Sequence, residues 1–268
     1  MSASHKGIAV VTGASSGIGA IYADRLARRG YDLILVARNQ ARLDEVAQRV
    51  AGATGRVVQV VAADLNNKAD LKRVEALFRT DPGITMLVNN AGVGALEPLL
   101  ESDADAMETM IGLNVTALTR LTYAVVPAFI GRGGGTIINI SSAVAIAPEL
   151  LNGVYGGTKA FVLALSLSLH KELVDKKVRI QAVLPGATAT QFWDAAGGSL
   201  EQLPSQIVMR SDDLVDAALA GLDQRELVTI PSLPDAADWD AYEAARQKLV
   251  PNLSLSAVPA RYRLAVAA

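Results

Sequence analysis

The sequence predicts a single doubly wound α/β domain: a seven-stranded parallel sheet with helices on both faces. Three observations lead there. From Gly7 to Pro231, short β-branched runs alternate with longer stretches of helical period. The first such run opens into a glycine-rich turn and then a helix, as Rossmann-type βαβ units begin. The 268 residues contain no repeat of 20 to 50 residues, no low-complexity tract and no linker between two cores.

In chain order, the run Ile8-Ala9-Val10-Val11 predicts the first strand at 8–11, and amphipathic spacing predicts a helix at 18–29. The apolar run at 32–36 and the helical period at 41–50 form the next pair, followed by a strand at 57–62 and a helix at 68–78. A strand at 86–89 precedes a long helical stretch at 105–129. Strand 136–140 is followed by helix 155–174, strand 179–184 by helix 212–222, and the last strand is 228–230. Each crossover is expected to be right-handed. The single domain spans 1–268, with a core at 6–231 and a C-terminal extension at 232–268. Within the extension, 235–249 reads as one more helix carrying Trp239 and Tyr242, suited to packing on the sheet edge or on a neighbouring subunit.

Composition removes several kinds of chemistry. With no cysteine, the chain has no disulfide framework, thiolate nucleophile, iron–sulfur cluster or cysteine zinc site. Its two histidines, His5 in the N-terminal segment and His170 in a predicted helix, read as unrelated surface or packing residues, so no metal site is expected. A net charge of −2, from 25 basic and 27 acidic residues, leaves no electrostatic footprint for nucleic acid or an anionic membrane. Small-molecule chemistry is the favoured class. No basic region followed by a long apolar stretch opens the chain, and no segment approaches about 18 uninterrupted apolar residues. The expectation is a soluble cytoplasmic protein.

The first strand runs into Thr12-Gly13-Ala14-Ser15-Ser16-Gly17-Ile18-Gly19. Glycines there let backbone approach a pyrophosphate, while the helix N-terminus supplies free N–H donors and a partial positive charge. The same letters satisfy the Gly-x-Ser-x-Gly nucleophile elbow through Gly13, Ser15 and Gly17. That elbow needs a later histidine as triad base, and His170 lies inside a helical run, which leaves hydrolysis through Ser15 a weak alternative. Cofactor choice belongs at the end of the second strand, where an acid would accept from a ribose 2′-hydroxyl. Here stands Arg38, which could pair with a 2′-phosphate, so NADP (NADPH) is favoured over NAD.

Asn89-Asn90-Ala91-Gly92, Ser141-Ser142 and Tyr155-Gly156-Gly157-Thr158-Lys159 all lie at or just beyond strand carboxyl ends, where open α/β sheets bind ligands. With these motifs jointly spaced, residues 6–231 resemble the short-chain dehydrogenase/reductase family. The resemblance implies an NAD(P)-dependent oxidoreductase acting on a carbonyl or secondary alcohol. It implies that the turn Gly13, Ser15, Ser16, Gly17, Ile18 and Gly19 holds the pyrophosphate and Asp64-Leu65 the adenine. Asn90, Ala91 and Gly92 would line the adenosine side, and Pro185-Gly186 with Thr188 and Thr190 would hold the nicotinamide carboxamide. The family's serine stands thirteen residues before its tyrosine, which selects Ser142. Tyr155 and Lys159 match Tyr-x-x-x-Lys, both catalytic and cofactor-contacting, and Asn114 matches the asparagine that kinks the preceding long helix and joins a proton relay to Lys159. Family members are commonly homotetramers or homodimers joined through helices that here would be 105–129 and 155–174.

Chemistry agrees with that assignment. Tyr155 and Lys159 are four apart and project from one helix face. Lowering a tyrosine from about 10 by about 3 units requires roughly 4 kcal/mol. An ammonium about 4.5 Å away supplies roughly 3.7 kcal/mol at an effective dielectric of about 20. Ser142 could donate a hydrogen bond to the developing alkoxide. One departure from the family pattern is the pair Gly156-Gly157, each destabilising a helix by about 1 kcal/mol relative to alanine, which predicts a late or mobile helix start.

Between Pro185 and Arg210, Phe192, Trp193, Leu200, Leu203, Ile207 and Met209 occur without a basic residue in the interval, and in the family this region forms a lid. With Val144, Ile146, Leu150 and Leu151 they suit a neutral, largely apolar substrate or pack lid against core. From a different class, a catalytically silent NAD(P)-binding regulatory or scaffold protein would keep the fold but tolerate loss of Tyr155 or Lys159, and this chain retains both.

Overall fold

A computed structural model of the chain describes residues 5–262. These fall into two compact units divided after Pro231. The expected domain at 1–268 and extension at 232–268 also include 1–4 and 263–268, which lie outside the described residues.

The first unit runs β1 (Ile8–Thr12), α1 (Gly17–Arg28), β2 (Asp32–Ala37), α2 (Gln40–Thr54), β3 (Val58–Ala62), α3 (Lys68–Thr80) and β4 (Ile84–Asn89). It continues through α4 (Ala104–Ile111), α5 (Leu118–Gly131), β5 (Gly135–Ile140), α6 (Gly153–Leu173) and β6 (Val178–Val183). A short excursion follows: β7 (Thr188–Ala189), α7 (Phe192–Ala195) and β8 (Met209–Arg210). The unit closes with α8 (Ser211–Asp223) and β9 (Val228–Thr229).

Seven strands form one parallel sheet in the order β3-β2-β1-β4-β5-β6-β9, as expected from the sequence. Pairing holds Val10 opposite Ile34 and Ile138 opposite Gln181. The chain winds outward from β1 to β3 and then returns to β4, so the order reverses between β1 and β4. A crevice opens at such a reversal, outside the carboxyl ends of the strands.

Alternation along each strand divides the core between the two sheet faces. Ala9, Val11, Leu33 and Leu35 bury against Leu26 of α1, Leu43 of α2 and Leu219 of α8. Val10, Ile34, Val36, Leu87 and Ile137 bury against Phe78 of α3, Leu121 of α5 and Leu169 of α6. Each such leucine or phenylalanine contributes about 1.5–3 kcal/mol by burial.

The long helix expected at 105–129 is α4 and α5 joined by a π-helical turn at Gly112–Ala117. Taken together, Ala104–Gly131 is long and apolar enough to cross a membrane. Its Leu118, Leu121, Val125 and Phe129 are instead buried in the core, where α5 packs on α3. Two-residue β7 and β8 pair with each other outside the main sheet and are too short to leave a periodic signal.

In the second unit, α9 (Ala236–Leu249) is capped by Asp235, whose side chain accepts from the Ala237 N–H. Trp239 and Tyr242 form a tilted ring pair at 5.3 Å, and Arg246 pairs with Glu243. No residue of this helix is buried.

Candidate active site

The turn after β1 is shaped by close backbone approach. Gly13 and Gly17 have φ of +65° and +51°, the left-handed region that favours glycine. A Cβ at Gly19 would stand 2.3 Å from the Gly13 carbonyl and 2.5 Å from Asn90 Nδ2. Only glycine lets the first turn of α1 close under the loop. Ser16 occupies the N-cap of α1 without a side-chain capping bond, so the helix presents N–H groups toward the cleft.

Thr12 and Asn90 brace this turn. Thr12 Oγ1 accepts from the backbone N–H of Asn90 and Ala91, and Asn90 Nδ2 donates to the carbonyls of Thr12 and Gly13. The Asn90 side chain thus holds the cradle itself, while Ala91 and Gly92 line the open cleft beside it.

That cleft has a volume of roughly 1060 Å³ and runs along the strand carboxyl ends. At one end, Arg38 follows β2 and is exposed, with no hydrogen-bond or ion-pair partner among the described residues. Asn39 caps α2 by accepting from Arg42 N, and Arg42 reaches across to Gln191 at 3.3 Å. Asp64 and Leu65 line the same end. Asp64 stays in place because its N–H donates to Asp70 and its carboxylate accepts from Asn66 N.

At the other end, Ser142, Tyr155 and Lys159 converge. Ser141 and Ser142 divide their roles: Ser141 Oγ donates to the Lys159 carbonyl at 2.7 Å, whereas Ser142 Oγ accepts from Val144 N, donates to the Pro185 carbonyl at 3.4 Å and pulls the Tyr155 hydroxyl pKa downward. Lys159 Nζ donates to the Ile140 carbonyl at 3.0 Å and lies 5.8 Å from the Tyr155 ring centre. Burial pushes the Tyr155 hydroxyl up to about 12, against a downward pull from Ser142, and burial pushes the Lys159 ammonium down to about 8. Desolvation opposes the charged form of both groups and outweighs the pairwise Coulomb gain expected from a neighbouring ammonium. Burial therefore favours the neutral phenol at Tyr155 and weakens the hold of Lys159 on its proton.

The helix carrying Tyr155 and Lys159 begins earlier than its two glycines suggest. Asn152, buried, caps α6 by accepting from Val154 N and Tyr155 N, which places the start at Gly153. Its Nδ2 donates to the Glu97 carbonyl and Ser102 Oγ, tying the loop after β4 to the helix. Gly156 is small because a Cβ would lie 3.1–3.3 Å from Pro148; Gly157 faces open space.

Asn114 sits in the π-helical turn, the irregularity expected of it. Its Oδ1 accepts from Val93 N, while Nδ2 donates to the Val93 carbonyl and Thr158 Oγ1. It pins the loop after β4 to α6 from behind the cleft.

Gly13, Ser15, Ser16, Gly17, Ile18, Arg38, Asp64, Leu65, Asn90, Ala91, Gly92, Ser142, Tyr155, Lys159, Pro185, Gly186, Thr188 and Thr190 all line the one cleft. Gly19 and Asn114 support it from outside. Thr190 lies close to Gly17, whose Cβ would stand 3.3 Å from the threonine methyl, so the segment after β6 closes against the glycine-rich turn. His170 does not line the cleft that Ser15 faces, leaving the elbow reading without a base. Asn152, Asn39, Arg42 and Gly94 join the site or its supports without having been singled out in the sequence. Asn152 had a readable signal, an Asn placed just before a helical run.

Residues 7–199 match the family described as short chain dehydrogenase. Over 225 residues, 83% of this chain and 94% of the relative, the chain is 32% identical to an uncharacterized oxidoreductase of Staphylococcus epidermidis. A short-chain dehydrogenase from Sphingobium yanoikuyae, solved in complex with NADPH, superposes with a TM-score of 0.93 at 49% identity, covering 96% of this chain and 100% of that one. The bulky-bulky ketone specific alcohol dehydrogenase from Comamonas testosteroni superposes with a TM-score of 0.89 at 44% identity, covering 97% and 99%.

Proposed function

The chain belongs to the short-chain dehydrogenase/reductase family, and from that premise we propose that it is an NADP-dependent reductase of neutral, largely apolar ketones, working equally on the corresponding secondary alcohols in reverse. The coarser statement, an NAD(P)-dependent oxidoreductase acting on CH–OH and C=O groups, comes with the family. The single observation that carries the finer reading is the cleft itself: an unpaired Arg38 at one end and the Ser142–Tyr155–Lys159 cluster among apolar side chains at the other.

The cradle fits a dinucleotide, because its glycines let the turn pack closely on itself while the N-terminus of α1, free of a side-chain cap, faces the cleft. Arg38 would face the adenosine 2′-phosphate, for which its planar donors suit bidentate contact. NADPH complexes among the similar structures, including the Sphingobium protein, support that choice. Pro185, Gly186, Thr188 and Thr190 would hold the nicotinamide end, with Lys159 beneath it.

When bound, the reduced nicotinamide supplies the hydride to the carbonyl carbon. Tyr155 gives its hydroxyl proton to the carbonyl oxygen as negative charge grows there, and Ser142 donates a hydrogen bond to the same oxygen. A phenol held at about 12 is a competent donor in this direction. The charge growing on that oxygen is alkoxide-like and a stronger base than a phenolate, so the proton passes to it and an alcohol results. Lys159, still largely protonated at pH 7, keeps a positive charge beside the resulting phenolate. The hydroxyl and ammonium are positioned for a proton to return from solvent, with Asn114 holding the loop and helix that flank Lys159.

Val93, Val144, Leu151, Phe192 and Leu203 line the substrate end, which supports an uncharged substrate. A cytoplasmic location fits this small-molecule chemistry. Assembly as a homodimer or homotetramer is supported by exposed Tyr123 on α5 and Phe161 on α6. The silent-scaffold reading is disfavoured because the whole reacting cluster is retained.

The test is turnover of NADPH and of NADH with an aromatic ketone, in wild type and in Tyr155→Phe. NADPH-dependent turnover that the variant lacks is expected, with dinucleotide binding retained. Undiminished turnover by Tyr155→Phe would refute its role, and a preference for NADH would refute the cofactor choice.

A further inference from the structure

The lid turn and the loop after β4 meet through glycines. Phe192, at the start of α7, presses its ring edge onto Gly94: a Cβ there would stand 2.2 Å from Phe192 Cζ and 2.4 Å from Cε2. Six residues after Phe192, Gly198 receives Leu96 in the same way, with its Cβ position 2.4 Å from Leu96 Cδ1. Gly94 has no left-handed backbone to explain it. Space for the ring explains it.

Phe192 also lies against the reacting tyrosine, with ring centres 5.6 Å apart at 43°, and edge-on to Trp193 at 5.6 Å. The two neighbours differ in how firmly they are held. Trp193 is buried, and its Nε1 donates to the Thr188 carbonyl at 2.9 Å. Phe192 is half-buried and lines the cleft, with no polar anchor on its side chain.

The floor under the ring is fixed at both ends. Asn114 bonds both backbone groups of Val93, and Asn152 bonds the carbonyl of Glu97. A group added at position 94 is therefore accommodated by the ring, which can rotate about its side-chain bonds, and not by the loop.

We propose that Gly94 and Phe192 together set the width of the pocket for the second substituent of a ketone, Phe192 as the movable wall over Tyr155 and Gly94 as the recess that lets it stand back. This rests on the carbonyl-reductase reading and deepens it by naming the residues that discriminate substrates. With the ring in its recess, a ketone carrying bulky groups on both sides of the carbonyl fits; with the recess filled, the ring moves into the cleft and excludes the larger group. Both residues act on substrate fit and neither exchanges a proton.

The experiment compares kcat/KM for acetophenone and benzophenone, which share one phenyl group and differ only in the second substituent, in wild type, Gly94→Ala, Phe192→Ala and the double variant. Phe192→Ala should raise the benzophenone-to-acetophenone ratio about tenfold, and Gly94→Ala should lower it about tenfold, a discrimination typical of a change in pocket volume. In the double variant the effect of alanine at 94 should shrink to about twofold, because its partner is gone. The ratio is read because loosening of the loop would lower both rates together. A ratio that rises in Gly94→Ala, or a Gly94→Ala effect undiminished when Phe192 is already alanine, overturns the proposal while leaving the reductase reading intact. Failure of the wild type to reduce either ketone with NADPH or NADH overturns both.

Discussion

Replacing Lys159 by methionine should stabilise the dinucleotide-free protein at neutral pH while removing its chemistry. Burial lowers the Lys159 ammonium to about 8 from the 10.5 of an ordinary lysine. Because the folded value lies below the unfolded one, the unfolded chain binds more protons between these two values, and stability attributable to this group rises with pH across that window. Below about pH 8 both states are charged and the full penalty stands. It amounts to about 3 kcal/mol near pH 7 and to about 1 kcal/mol near pH 9.5. Methionine has a similar length without the charge. It loses the bond from Nζ to the Ile140 carbonyl, worth about 1 kcal/mol at every pH. The expected result is a variant more stable than wild type by about 2 kcal/mol near pH 7, with the two proteins nearly equal near pH 9.5. Urea unfolding of both proteins at the two pH values, followed by tryptophan fluorescence, measures the difference. Tyr155 is present in both chains, so its own titration cancels to first order. A stability difference that stays constant between the two pH values, or grows, would show that Lys159 is not held as a desolvated cation.

Three further outcomes can be checked. Arg38→Ala should weaken NADPH binding about 10- to 100-fold while leaving NADH binding within about twofold, since only the former loses a charge-assisted contact; fluorescence titration with both dinucleotides decides it. Gly19→Ala should eliminate dinucleotide binding and lower unfolding stability by about 1–3 kcal/mol, because the new Cβ meets a backbone carbonyl and Asn90; retained binding in a calorimetric titration would refute the close-packed cradle. Asn152→Ala should destabilise by about 1–2 kcal/mol through loss of the α6 cap, and Asn152→Asp should recover the cap but not the donations to Glu97 and Ser102. If chemical denaturation finds the two variants equally stable, the cap is not what holds the helix start.

The sheet was legible because its central strands are buried on both faces and the strands alternate with helices of clear period. Val10, Ile34 and Leu87 bury on one face while Ala9 and Leu35 bury on the other. The cofactor and reacting residues were legible because chain order fixes which strand end each occupies, so a motif read between two elements lands at the carboxyl edge. What was illegible depends on contacts between distant segments. Gly94 is an ordinary loop glycine in sequence, and only the approach of a ring nearly a hundred positions later explains it. Asn90 reads from its motif as a cleft residue, and only the folded chain shows that its amide also braces the turn after β1. Gly156 suggested a weak helix start because propensity was summed without Pro148, whose proximity makes the missing Cβ a packing requirement.

Locally unfavourable choices gather along one edge of this sheet. Ser16 leaves the N-terminus of α1 uncapped, and Lys159 is a buried cation. The first costs about 1 kcal/mol and the second about 3 kcal/mol near neutral pH, in a protein that has no other use for either. The two apolar layers on either side of the sheet offset these costs, and they need no help from the edge to do so, because their buried side chains point away from the strand ends. Substitutions along the edge can therefore raise stability and still remove function, and substitutions in the layers can lower stability without touching the chemistry. The opposite shifts of Tyr155 and Lys159 belong to the same division: burial that disfavours charge on both groups keeps the phenol proton in place until a substrate oxygen needs it.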